Sequence, residues 1–379
     1  MNTTIDAGRQ RSVGGTAVSD NTGSPASACD RTPLPALPLA PLPALLASAL
    51  TDTNPGSARP PGPRMNAWLE SGATPVADAG VLGSLLGALW RAGAPHRTPD
   101  GAESSILRRP IPSAGATYAV HTHVVVGGDR VAGLEPGRYV FDHERSQLLR
   151  RGDDAECATH TSDSRGSEAS SRVIFSVQPG RSFGRYRHRA WPLWIADTAY
   201  AHEALAFTLD RRLRSRLGPS AELRSELGVP RGSETAAWLD RGLVPEIPLV
   251  SIELPERLHP DPIRERALAR RRSPAIAEYL RNPVTSGEAV RVARLSAQPW
   301  VAHADHVHGW SISPRATASQ MYAALWHAHR AAARMCYLSA RSGRRRCRPV
   351  SGFAAQSDTW MMHAVAILEG ATEAEEPAA

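Results

Sequence analysis

Residues 108–126 read "RRPIPSAGATYAVHTHVVV": two arginines, a tight turn of small residues framed by Pro110 and Pro112, then alternating side chains. Ser113, Ala114 and Gly115 are the residue types that let a backbone bend sharply and let another group come close to it. From Tyr118 to Val126 the alternation predicts a half-buried strand, with His121 and His123 sharing one face. Two histidines so placed read as hydrogen-bonded or solvent-facing strand residues rather than as metal ligands. Downstream, "GLEPGRYVFDHERSQLL" (133–149) predicts a turn at Pro136-Gly137 and a second strand.

A chain of 379 residues with 42% hydrophobic side chains can build real cores. The 44 basic residues exceed the 37 acidic ones, and all the basic ones are arginine. A chain without lysine places arginine on ordinary solvated faces, so its arginine clusters argue little for nucleic-acid binding. The four cysteines, Cys29, Cys157, Cys336 and Cys347, have no CxxC or metal-ligand spacing, which suggests a reducing compartment. No apolar stretch reads as a signal peptide or a membrane span, so the expectation is a cytoplasmic protein with no membrane association.

Residues 1–64 are rich in Ala, Pro, Ser, Thr and Gly without a sustained period and read as disordered; 373–379 form an acidic tail. "MNAWLESG" and "AGVLGSLLGALWRAG" have helical spacing, and 152–171 read as a loop. Two long alanine-rich patterns, 194–218 and 319–343, each end at a glycine suited to closing a helix, and their likeness suggests an internal duplication. The first is followed by a short helix, "AELRSELGVP", and the strand "IPLVSIEL". In "ARRRSPAIAEYL" (269–280), Ser273 reads as a helix N-cap and Pro274 as its first residue, so arginine side chains and free N–H groups could meet an anion. "HADHVHG" (303–309) reads as a polar loop. "GRRRCR" (343–348) reads either as a phosphate or acidic-peptide site or as an exposed helix exit.

Together, "RRPIPSAGATY", "GLEPGRYVFDHERSQLL" and "GRYRHRAWPLWIADTAYAHEAL" resemble, in order and spacing, the FMN-dependent azoline dehydrogenases of the nitroreductase superfamily. These enzymes oxidise thiazolines and oxazolines to azoles in ribosomally made peptides. The match is specific over 105–210, loose over 65–105 and moderate over 266–370. The resemblance implies an α+β fold of two diverged nitroreductase-like copies, 65–255 and a truncated 256–372, forming an intrachain pseudo-dimer. It implies one composite FMN site, with Pro112, Ser113, Ala114 and Gly115 from the first copy. Arg271, Arg272, Ser273, Arg348, Pro349, Ser351 and Gly352 would come from the second.

A Lys-Tyr pair usual in the family falls, without gaps, on Arg185 and Tyr186. Arginine is too basic to abstract a proton, so the resemblance moves that role to Tyr186, with Arg185 favouring the phenolate. Where the family has glycine-histidine, this chain has Ala199-Tyr200, and the fifth residue of the RRSxR pattern is Ala275. Arg348 or residues 344–346 could then share the phosphate. The implied partners are an azoline-containing precursor peptide of a thiopeptide-like pathway and a cyclodehydratase. A catalytically degenerate docking scaffold, or a flavin reductase acting on quinones or nitroarenes, are the competing readings.

Overall fold

The computed structural model describes residues 72–97, 102–152, 170–229, 245–353 and 358–370, and singly residues 49, 57, 59, 60, 62 and 68. Nearly all of the 1–64 segment, most of the 152–171 loop, the 373–379 tail, Cys29 and Cys157 therefore lie outside the described residues. In chain order the elements are β1 (Thr74–Pro75), α1 (Gly80–Trp90), β2 (Pro95–Arg97), β3 (Glu103–Leu107), β4 (Val120–Val126), β5 (Gly137–Asp142), β6 (Gln147–Arg150) and β7 (Arg172–Val177). Next come α2 (Phe183–Tyr186), α3 (Ala190–Thr208), β8 (Ser215–Leu217), α4 (Ala221–Leu227), β9 (Ile247–Glu253), α5 (Pro262–Arg270) and α6 (Ile276–Tyr279). The last are α7 (Gly287–Ser296), β10 (His306–Ile312), α8 (Ala318–Ser342), β11 (Arg345–Val350) and β12 (Trp360–Glu369).

A seven-stranded sheet runs β1-β6-β5-β4-β7-β9-β8, a three-stranded sheet runs β10-β12-β11, and β2 pairs with β3; every pairing is antiparallel. β4 lies centrally, and its residues alternate between two faces. Val120, Val124 and Val126 meet Leu82, Leu85, Leu86 and Leu89, the i, i+3, i+4, i+7 stripe of α1, in the main core. Fully burying each such leucine stabilises the fold by about 1.5–3 kcal/mol. The opposite face is covered as well: Val125 packs against Ile174, Leu227 and Val229, while Trp68, Val140 and Leu149 form a neighbouring cluster. β4 is thus buried on both faces, not half-buried as its alternation predicts, because α4 and Trp68 cover the side that carries the histidines.

α3 is buried along almost its whole circumference, with only Pro192 and Leu193 partly exposed. It packs against α8, and Glu203 of α3 accepts two hydrogen bonds from Arg330 of α8, at 2.9 and 3.2 Å. α8 starts at a Thr317–Gln320 capping box. It is closed, as its sequence predicts, by Gly343 in the left-handed region, φ 68°. α4 likewise has Ser220 as N-cap and a left-handed Gly228. α3 departs from expectation: it stops at Thr208 instead of running to Gly218. Asp210 takes a positive φ of 49° there, and Ser215–Leu217 pair with β9 as the sheet edge.

Three further expectations are corrected. Ser273 caps no helix: the N-cap is Ala275 and α6 has four residues, because the Glu278 carboxylate takes the Ala275 N–H at 2.6 Å. Most of the histidine-rich "polar loop" is strand β10, recruited as an edge by the apolar β12. The "GRRRCR" run is mainly strand β11, not a helix exit, and pairs with the other edge of β12.

Candidate functional site

The Ser-Ala-Gly turn is a short 3₁₀ segment, Ala114–Ala116, entered from an extended Ser113. Gly115 has φ 56°, and positive φ persists at Ala116 and Tyr118, 52° and 46°, so the bend is held against local backbone preference. Asp197, buried in α3, does much of the holding. It accepts from Ser113 Oγ at 2.5 Å and from the Ala114 N–H at 3.0 Å, while the Tyr118 N–H donates to Ser113 Oγ at 2.9 Å. Burial raises the Asp197 carboxyl to a pKa of about 7, against the opposing pull of its bonds from Ser113 and Ala114. Trp90, Ile111, Pro112, Ser113, Tyr118 and Asp197 line a small cleft at the turn.

Arg185 and Tyr186, at the end of α2, reach the same turn. A Cβ added at Gly115 would overlap the Tyr186 hydroxyl and come 3.3 Å from Arg185 Nη1. What the glycine admits in this structure is the tyrosine. The Arg185 guanidinium carbon lies 5.4 Å from the Tyr186 ring centroid. Half-burial nevertheless raises the Tyr186 pKa, outweighing the lowering by Arg185, and the Asp197 charge raises it further. The phenol is therefore protonated at neutral pH, and Arg185 favours the phenolate only against the larger opposing effect of burial.

Arg271, although 161 positions away, donates from Nε to the Pro110 carbonyl at 2.8 Å and from Nη1 to Ser273 Oγ at 3.3 Å. Its side chain is buried, and among the described residues no carboxylate pairs with it. Arg272 turns back on the Ala269 and Arg271 carbonyls at 2.8 and 2.9 Å. Arg348, half-buried over the Trp300 ring at 5.3 Å, donates to the Pro274 carbonyl at 2.8 Å and also has no carboxylate partner among the described residues. Burial lowers its pKa, with Tyr279 opposing.

Arg345 pairs with Glu369 at 2.9 Å and Arg346 pairs with Glu278, so their charges are already matched. Pro349 lies opposite Val365 in the sheet, and the Ser351 carbonyl accepts from Gln298 Nε2 at 3.0 Å. Gly352 has φ 93° and open space where a Cβ would be. No contact described joins these last three to the turn.

Tyr200 is deeply buried, its hydroxyl 3.0 Å from His363 Nε2. His202 lies against Trp326, and burial pulls it down to a pKa of about 3, with Arg330 adding to the effect. The "HADHVHG" histidines do not converge: His303 Nδ1 is 2.7 Å from the Asn282 carbonyl, His306 faces Glu369 and His308 packs on Trp310. Asp197 is the site residue that sequence reasoning missed. An aspartate within an alanine-rich helix gives no local sign that it will cap a turn 84 positions away.

The fold has a counterpart among solved structures. A nitroreductase-assigned protein from Anabaena variabilis superposes with a TM-score of 0.57 and 13% identity over 76% of this chain and 87% of that one. The fold is nitroreductase-like. The Escherichia coli microcin synthetase McbBCD complex with truncated pro-MccB17 bound aligns at a TM-score of 0.30 and 14% identity, over 59% of this chain and 85% of that one, and no common fold is claimed at that score. No family model and no curated protein sequence matches the chain. Among the described residues no helix is long and apolar enough to cross a membrane.

Proposed function

We propose that the chain is an FMN-dependent oxidoreductase that converts thiazolines or oxazolines to azoles in a ribosomally made precursor peptide. One observation carries the reading: three separate segments meet at one turn. Arg271 bonds Pro110, Arg185-Tyr186 rest on Gly115, and Asp197 anchors Ser113. The residues fit a phosphate-bearing cofactor, since buried Arg271 and half-buried Arg348 carry charge that no described carboxylate neutralises. Arg271, Arg272, Ser273 and Arg348 would hold the phosphate; Pro112, Ser113, Ala114 and Gly115 would hold the ring system, with Pro349, Ser351 and Gly352 closing the site. Bound FMN supplies a hydride acceptor.

The chain's own residues do the rest. Tyr186 takes the acidic ring proton of the azoline through its minor phenolate form, and Arg185 enlarges that fraction. Asp197 fixes the turn that positions both. The fit of α3 against α8, each a long alanine-rich helix, supports a tandem reading, with 65–255 and 256–372 as the two copies. A cyclodehydratase that delivers the peptide is the proposed partner, and the cytoplasm the proposed location.

The test combines flavin content with mass spectrometry. One FMN per chain and a loss of about 2 Da for every azoline oxidised are expected. Tyr186→Phe should retain flavin and lose activity about 10²- to 10⁴-fold. A protein without flavin that still binds the peptide would instead be a docking scaffold. A flavoprotein that ignores azolines but turns over quinones or nitroarenes with NADPH would be a flavin reductase.

A further inference from the structure

On the face of β4 away from the turn, three buried side chains converge. His121 Nδ1 lies 2.7 Å from Glu246 Oε1, and His123 Nε2 lies 2.7 Å from Oε2. All three donor atoms fall within 4.8 Å of one another. Trp68 Nε1 donates to Oε1 at 2.9 Å, and Ser176 donates to Oε2. The Arg151 guanidinium sits over the Trp68 ring, 3.6 Å from its centroid, and donates to the Leu227 carbonyl. Around the cluster are Val140, Leu149, Ile174 and Val229.

We propose that His121, His123 and Glu246 bind one divalent transition-metal ion, zinc by the nature of the donors. Two imidazole nitrogens and one carboxylate oxygen are a donor set that borderline cations such as zinc favour over calcium or magnesium. The i, i+2 spacing on a strand puts both rings on one side, where each aims a nitrogen at the same carboxylate. In the metal-free arrangement those nitrogens supply two inward N–H donors to a buried anion. A divalent cation replaces both protons and brings a permanent positive charge to the buried carboxylate. Trp68 and Ser176 already bond the carboxylate oxygens, the supporting shell that orients a metal-bound carboxylate. A water completes a four-coordinate site. The ion would link β4 to the residue that enters β9, across the intervening strand β7.

The test uses the full chain, stripped with a chelator and titrated with zinc or cobalt(II). Expected are one ion per chain, the visible d–d bands of tetrahedral cobalt bound by nitrogen and oxygen, and a rise in the melting temperature on adding zinc. Glu246→Gln keeps the size of the side chain and should lower affinity at least tenfold while circular dichroism stays that of the wild type; His123→Gln should do the same. Should either variant fold poorly, the cobalt spectrum of the wild type decides. A thiolate charge-transfer band would place the ion at cysteine and overturn the proposal, as would a stripped protein that takes up no ion or undiminished affinity in a folded variant.

Discussion

Replacing Asp197 with asparagine should change stability by an amount that depends on pH. The carboxyl is buried and its pKa rises from the usual 3.8 to about 7, so the folded chain holds a proton that the unfolded chain releases. A raised carboxyl pKa makes stability fall as pH rises from about 4 to about 7, and the full difference corresponds to about 4 kcal/mol. Asparagine cannot ionise. Its oxygen still accepts from the Ala114 N–H, and its amide donates to Ser113 Oγ, which leaves the serine proton without its acceptor at a cost of about 1 kcal/mol. The variant should therefore match the wild type within about 1 kcal/mol near pH 5 and exceed it by about 3 kcal/mol near pH 8. Urea unfolding at the two pH values measures both differences. An Asp197→Asn protein less stable than wild type by the same margin at both would show that the carboxylate is ionised and well held throughout, and the titrating anchor would have to be abandoned.

Gly115→Ala combines a strained φ of 56° with overlap at the Tyr186 hydroxyl, so it should cost about 1–2 kcal/mol in denaturant unfolding and displace the tyrosine, slowing any azoline oxidation. Arg271→Ala should weaken FMN binding about 10- to 100-fold by fluorescence titration, and Arg272→Ala less, because the Arg272 Nη1 already serves two backbone carbonyls. Because burial raises the Tyr186 pKa, the rate should climb with pH through and beyond neutrality; Arg185→Ala should move that limb further up, and Arg185→Lys should leave it in place. A flat pH profile in all three proteins would exclude Tyr186 as the base.

What could be read from the sequence was local. The leucine stripe of α1, the closing glycine of α8 and the alternation of β4 are each set by residues a few positions apart, where spacing carries information. The end of α3 could not be read this way, because Asp210 in the left-handed region and the pairing of Ser215–Leu217 with β9 together override a helical pattern. The expected cap at Ser273 failed for a similar reason: a carboxylate three residues past Ala275 moved the helix start. Asp197 and Glu246 left no trace, since each acts on groups 70 or more positions away. Family resemblance brought Arg271 and Gly115 into one argument; spacing alone had no means of doing so.

α3 begins at the midpoint of the chain, at Ala190, while α8, which covers it, starts at Ala318. During synthesis the seven-stranded sheet can pair once Glu253 has emerged, yet the apolar side of α3 then waits more than sixty further residues for its cover. Nascent chains in that interval expose a sticky helix, the condition under which chaperones are recruited and truncated products aggregate. Ribosome stalling between Glu253 and Ala318 should therefore leave this protein far more prone to aggregation than release of the completed chain, in which the helix pair closes.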